Sequence, residues 1–387
     1  MSKSTSGVIA ATLATLSLAA TAGTAPSAKT PAPEAPAEES AFDKLWSLTT
    51  LYKSKTNPWV QKIAISGRYH GQYAMMDSDQ GDYDDWENRR FRIGLSGQIL
   101  QEVEFKAEML GDLNEGGDFY TGLTEVYLAW KPDDAFKLTV GKQKPRFTLD
   151  WDTSSREILT FERNIMLNNF GIDYETGVAI SGKKGNFAYY AGAFNNDVGS
   201  AGGEAEFGDL GGGFSYIASA SYDLKDALGV DKAVLRGDFI HMEHDGNDEL
   251  LTKFDNGLAA SFNLKQGKAG LITEAVYGEG DKGDMWGIYV MPTYDFTKKF
   301  QVVARYTYAH SGDDALRLQS RYERKADELS DGGNGESYQA GYLGVNYYLY
   351  GHKLKLMTGV EFSHMNGGSD GGDYDGVTAL AGVRIYW

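Results

Sequence analysis

Lys142, Lys144, Arg146, Arg156 and Arg163 share one short stretch of the chain with Asp150, Asp152, Glu157 and Glu162. Cations and anions interleaved at this density can do electrostatic work on a passing ion. Arginines on one wall facing acids on another create a transverse field, which acts strongly at close range in partly excluded water. The same residues can instead pair with one another and brace the segment. Between them lie Phe147, Trp151, Ile158, Leu159 and Phe161. An exposed loop gains nothing from such side chains, so the stretch is expected to lie buried inside whatever carries it.

Covalent chemistry finds little support elsewhere. The chain has no cysteine, hence no disulfide framework, thiolate metal site or cysteine nucleophile. His241 and His244 in "HMEH" fall on opposite faces of a strand, which disfavours a metal site there. "DSDQGDYDD" is rich in carboxylates, but its glycine falls one position early for a calcium loop, and a solvated acidic loop is the simpler reading. A hydrolytic triad needs serine, histidine and acid in convergence, and no serine motif announces one. No enzyme activity, cofactor or metal is expected.

The elements that must position the charged stretch have a period of two. In "QKIAISGRYHGQY", Ile63, Ile65, Gly67, Tyr69 and Tyr73 share one face while Lys62, Ser66, Arg68, His70 and Gln72 share the other. "RRFRIGLSGQIL", "EVEFKAEML", "TEVYLAW", "FKLTV" and eleven further segments, ending with "TALAGVRIYW", repeat the alternation, giving about sixteen strands. Long Asp/Gly-rich loops such as "DSDQGDYDDWE", "NNDVGSAGGEAEFGDLGG" and "SGDDALRLQSRYERKADELSDGGNGES" alternate with short turns such as "SGKKGN" and "QGKAG". A soluble β-sandwich would build its core from Val, Ile, Leu and Phe. Here the apolar face is loaded with Tyr, Trp, Ala and Gly, and Arg and Glu recur in mid-strand on the other. Both features suit a transmembrane antiparallel β-barrel, with tyrosines at the lipid interfaces and charges on a wet lumen. The lumen phase then carries the wall residues Arg68, Arg90, Arg92, Lys106, Glu125, Arg305 and Arg384.

The net charge of −17 argues against a nucleic-acid partner. "GVIAATLATLSLAATAG" after Lys3 reads as a signal peptide over residues 1–22. The Pro/Ala-rich stretch 23–41 has too little apolar content to fold and reads as a disordered arm, a candidate contact with the cell wall. Residues 42–56 carry Leu45, Leu48, Leu51 and Tyr52 at helical spacing and predict a short amphipathic periplasmic helix, followed by the barrel over 60–387.

The stretches "NRRFRIGLSGQILQEVEFKAEM", "TEVYLAWKPDDAFKLTVGKQKPRF" and "SREILTFERNIMLNNFGIDYETGVAISGKKGNFAYYAGAFN" resemble the phosphate-selective porin O/P family of Gram-negative outer membranes. The resemblance implies a homotrimeric, sixteen-stranded channel for passive diffusion of small hydrophilic solutes or ions, whose third long loop folds into the lumen. Counting strands makes that loop the segment after Lys144, the charged and apolar stretch described above. Its charges would form the pore constriction. The family's phosphate selectivity depends on clustered basic groups, here diluted by Glu102, Glu104, Glu108, Glu125 and Glu175 on lumen phases. Anion transport is therefore open and phosphate specificity is not assigned. Barrels of this kind end on an aromatic residue resembling an assembly signal read by the barrel-assembly machinery, a role that falls to Trp387. The alternative is a structural outer-membrane protein that holds the envelope to the cell wall through its N-terminal arm.

Overall fold

The computed structural model describes residues 40–195, 207, 213–243, 254–280, 283–312, 316–318, 321–367 and 372–387. The expected signal peptide, nearly all of the Pro/Ala-rich arm, most of the "NNDVGS" loop and His244 lie outside the described residues.

A short strand, β1 (Thr50–Lys53), precedes the barrel. The barrel strands are β2 (Val60–Ser78), β3 (Gly81–Ile99), β4 (Val103–Gly111), β5 (Gly122–Trp130), β6 (Lys137–Gln143), β7 (Glu175–Lys184), β8 (Phe187–Asn195) and β9 (Phe214–Asp223). They continue as β10 (Lys232–Met242), β11 (Asn256–Gln266), β12 (Ala269–Glu279), β13 (Met285–Asp295) and β14 (Phe300–Ser311). A two-residue pair, β15 (Leu316–Arg317) and β16 (Asn334–Gly335), sits inside one loop, and β17 (Ser337–Tyr350), β18 (Leu354–Asn366) and β19 (Tyr374–Tyr386) complete the wall. Each barrel strand pairs antiparallel with its neighbours, and β19 returns to β2 from Gly376↔Ser78 to Tyr386↔Arg68. The sheet is thus a closed barrel of sixteen strands. Closure pairs each strand on both sides and leaves no free sheet edge along the wall, the condition a membrane imposes on backbone polar groups.

The last strand stops short of the bottom of the first. Trp387 exchanges both backbone hydrogen bonds with Gly67, at 3.0 and 3.1 Å, and below that point β2 would present an open edge. β1 takes the vacant side, pairing Tyr52 with Ile63 and Lys53 with Lys62, while Ile65 N–H donates to the Thr49 carbonyl. The predicted helix over 42–56 is accordingly shorter: α1 spans Ala41–Ser47. Two side chains end it by occupying carbonyls of its last turn, Ser47 Oγ donating to Lys44 O and Thr49 Oγ1 to Trp46 O. Trp46 then docks the helix on the barrel rim, its indole N–H donating to Tyr386 O at 2.6 Å and its ring packing against Tyr350. Leu45, Leu48 and Leu51 remain exposed, so the apolar stripe read from the sequence faces away from the barrel.

The stretch "DSDQGDYDDWE", expected as a long loop, is a continuous hairpin: β2 and β3 pair up to Ser78↔Gly81. At nineteen residues each, these strands overshoot the roughly 10 residues that cross a bilayer and carry Asp82, Asp84 and Asp85 out into solvent.

Candidate functional site

The segment between β6 and β7 folds into the lumen, and its two faces meet different walls. One face is apolar. A one-turn helix, α2 (Leu149–Asp152), is capped by Thr148, and α3 (Ile165–Phe170) is capped by the Asn164 side chain, which accepts from Leu167 N–H at 3.3 Å. Gly171, in the left-handed region at φ 62°, ends α3. From this frame Phe147, Ile165, Met166 and Phe170 pack against Ile217, Ile240, Phe254, Val276, Met285 and Tyr289, lumen-facing residues of β9–β13 and the loop before β11. Phe170 lies 4.8 Å from the Phe254 ring and 5.1 Å from that of Phe147. The wall accepts these rings because it is bare there: a Cβ on Gly257 would sit 2.6 Å from Phe170, and one on Gly278 would sit 2.9 Å from it. Half of the lumen is therefore packed like a protein core rather than wet, contrary to the expectation from alternation alone.

The other face is ionic, and two carboxylates organise it. Glu108 on β4 is almost fully buried and stands 3.2 Å from Arg68, 3.3 Å from Lys106, 3.6 Å from Arg156 and 3.8 Å from Arg92. Glu162 in the loop takes Arg89 in a two-pronged pair at 2.8 and 2.9 Å, with Arg90 at 3.7 Å. Burial would raise the Glu162 carboxyl, but Arg89 and then Arg90 hold it well below the usual carboxylate range. Two consecutive arginines can both point inward because β3 carries a bulge. His70 pairs with Arg90 and Gly71 with Asn88, which leaves Arg89 as the extra residue. Alternation assigns Arg89 to the lipid phase, so only the bulge reveals it.

The remaining residues expected at the constriction divide. Asp150 stands 3.7 Å from Arg163 and accepts from Asn164 N–H at 2.9 Å; Arg163 also donates to Thr153 O at 2.7 Å. Asp152 pairs with Arg236 on β10 and lies 3.7 Å from Arg146. Lys144 lies 4.6 Å over the Trp151 ring, where burial and Arg163 push its ammonium well below the usual lysine range. Glu157 is exposed. Lys142 departs from its expected place: it pairs with Val126 and shares the outward phase of Leu138 and Val140, so it does not face the lumen. The ladder keeps its register through Gly141, whose φ is 123°, and Lys142 is buried opposite Thr176 whereas Val140 is exposed. On the wall, Lys106 pairs with Glu125, Arg305 with Glu361 at 3.0 Å, and Arg384 donates to Gln72 while lying 5.1 Å over Phe161.

A second loop, between β14 and β17, also turns inward; its acidic, glycine-rich sequence reads as solvent-exposed. Tyr322 is buried, hydrogen-bonded to Gln72 and, at 2.9 Å, to Glu87, and Arg321 pairs with Glu87. Tyr338 donates to Glu323 at 2.8 Å, and Arg317 N–H donates to Asn169 at the end of α3. The two inward loops thus support one another.

Among the described residues, two cavities lie on the side of β2–β6. A cavity of about 770 Å³ near the long-loop end is lined by Arg89, Arg90, Arg92, Arg163 and Arg321, with Asp112 and Asp173 as its acids. A second, of about 200 Å³, lies toward the short-turn end against Arg68, Glu125, Lys137 and Asp152. Tyr174 is common to both linings.

Residues 63–239 match the family described as phosphate-selective porin O and P. No curated protein sequence matches the chain. Among solved structures, the chain is similar to the outer membrane channel DcaP of Acinetobacter baumannii, at 14% identity and TM-score 0.53 over 87% of this chain and 99% of that one. It is similar to Pseudomonas putida OprB at 12% identity and TM-score 0.59, over 84% and 94%. Salmonella typhi OmpF aligns at 11% identity and TM-score 0.58, over 87% and 100%. At such identities these structures speak for the barrel alone; the sequence match speaks for the segment that builds the charged wall and the loop folded against it. The chain forms a closed sixteen-stranded β-barrel with the fold of outer-membrane porins, and over residues 63–239 it is similar to the phosphate-selective porin O and P family.

Proposed function

We propose that this porin is a passive diffusion channel with a preference for small anions, working as a homotrimer in the outer membrane. The observation that carries the preference is the composition of the larger cavity, five arginines against two aspartates. A vestibule of one sign raises the local concentration of the opposite ion and sets selectivity close to the narrowest section. The chain's net charge of −17 does not oppose this reading. Part of the acidic excess sits on the projecting β2–β3 hairpin, beyond the vestibule and in high-dielectric solvent. Each vestibule arginine has a carboxylate partner, Glu162, Glu108, Asp150 or Glu87, and the lumen charges outside the vestibule are likewise mostly paired. Lys106 with Glu125 and Arg305 with Glu361 brace the wall and add little net field.

The test is the reversal potential of the purified protein in a planar bilayer under a potassium chloride gradient. Chloride preference is the expected sign. Cation preference would overturn the reading of the vestibule while leaving the channel intact.

A further inference from the structure

We propose that the route through the molecule runs along the β2–β6 wall and is gated by a septum of two hydrogen bonds, Tyr174 to Arg92 and Ser155 to Arg68, with Tyr174 as the residue that a permeating anion displaces. This rests on the channel reading above.

Elsewhere among the described residues the lumen is more tightly filled. Phe147, Met166 and Phe170 fill the space against β9–β13, and the gap beneath Arg305 and Tyr322, at about 20 Å³, has room for little more than a single water molecule. On the remaining side the two cavities approach each other at Tyr174. Arg92 Nη1 donates to the Tyr174 hydroxyl at 2.5 Å, and the guanidinium lies 4.8 Å from the ring centroid. Arg68 Nη1 donates to Ser155 Oγ at 2.7 Å. Ser155 lines the larger cavity and Arg68 the smaller, so this bond crosses the same boundary. Tyr174 is the last residue of the inward loop and Ser155 lies in its first half, and both arginines are anchored by Glu108. Trp151 meets the Tyr174 ring edge-on at 6.0 Å and limits its swing on the vestibule side.

The septum is weak where a gate must be weak. Tyr174 and Ser155 each accept a single bond through a neutral hydroxyl, while an anion brings an opposite charge and can take a guanidinium through two parallel bonds. An anion arriving from the vestibule can therefore take over the Arg92 donor, release the Tyr174 hydroxyl and pass toward Arg68 and Lys137. Glu108 stays paired throughout, since Lys106 and Arg156 remain beside it. A cation gains nothing from either arginine and leaves the septum shut.

The absence of cysteine from the chain allows a clean test. Tyr174→Cys, reconstituted in planar bilayers in potassium chloride, should conduct at least as well as the native channel and lose most of its current on treatment with N-ethylmaleimide. Val140→Cys, on the outward phase, should keep its current under the same treatment. Tyr174→Ala should raise the unit conductance, and Tyr174→Phe, which keeps the ring but not the bond, should raise it less. A native protein that inserts and stays silent would defeat the channel reading itself. A conducting native protein whose Tyr174→Ala conductance is unchanged, or whose Tyr174→Cys current survives the maleimide, would overturn the septum. Should Tyr174→Ala fail to fold, Ser155→Cys gives the same maleimide readout from the second bond.

Discussion

The lumen has two halves that obey different physics. Against β9–β13 the inward loop is held by hydrophobic burial, with Phe170 set over two glycines in a dry interface. Against β2–β6 the same loop is held by buried ion pairs centred on Glu108 and Glu162, and the space between them stays open. Packing is non-directional and stabilises most when nothing can pass. Ion pairs tolerate water and offer partners that a solute can borrow. Dividing the loop in this way lets one side carry stability and the other carry selectivity.

The contrast predicts that mutations on the two sides separate two measurements. Phe170→Ala on the packed side should cost about 3–5 kcal/mol of barrel stability, seen as a lower temperature for the heat-dependent gel shift, with the reversal potential unmoved. A changed potential would mean that the apolar half also shapes the pathway. Glu162→Gln should do both: removing one partner leaves Arg89 and Arg90 buried without their carboxylate, costing about 3–5 kcal/mol, and the added positive charge should move the reversal potential further toward chloride. Arg163→Gln and Arg321→Gln, which line the vestibule, should move that potential toward cations with a smaller loss of stability. Arg156→Gln should move it less, because Arg156 sits on Glu108 at 3.6 Å and braces rather than lines.

Proton titration gives a weaker effect. The Glu162 carboxyl is depressed, so the stability it contributes is fully present above the ordinary glutamate value of about 4.3 and fades only as pH falls below it. Conductance should thus stay flat from neutral to mildly acid solution and drift only below that value. A transition near pH 6 would point to a different group. The smallest effect belongs to Lys142→Gln, which should leave the potential unchanged because the residue faces outward.

The barrel was readable because its strands alternate apolar and polar residues with a period of two, which needs no tertiary knowledge. The inward loop was readable because Phe147, Trp151 and Phe161 are too apolar for solvent. Other features resisted for physical reasons. The β14–β17 loop has the composition of an exposed segment, and its inward turn depends on a few buried partners of Tyr322 and Arg321 that composition does not announce. The β2–β3 hairpin looks like a loop because aspartates and glycines also suit a strand standing clear of the membrane. Lys142 was drawn into the constriction by its neighbours in sequence, although a strand separates adjacent residues by the full thickness of the wall. Tyr174, at the end of the loop, carries no charge and so drew no attention.

The bulge at Arg89 lets β3 carry one residue more than its partner without changing the face of any other. With Arg89 set aside, Arg90, Asn88, Glu87 and Trp86 alternate inward and outward against His70, Gly71, Gln72 and Tyr73. Deleting Arg89 would therefore take one guanidinium from Glu162 and leave Trp86 outside beside Tyr73 and Glu87 inside. A deletion at an unbulged position of the same strand has nothing to absorb it and would turn every residue beyond it to the other face. In pores of this architecture a bulge is a place where the lumen can gain or lose a side chain in single-residue steps.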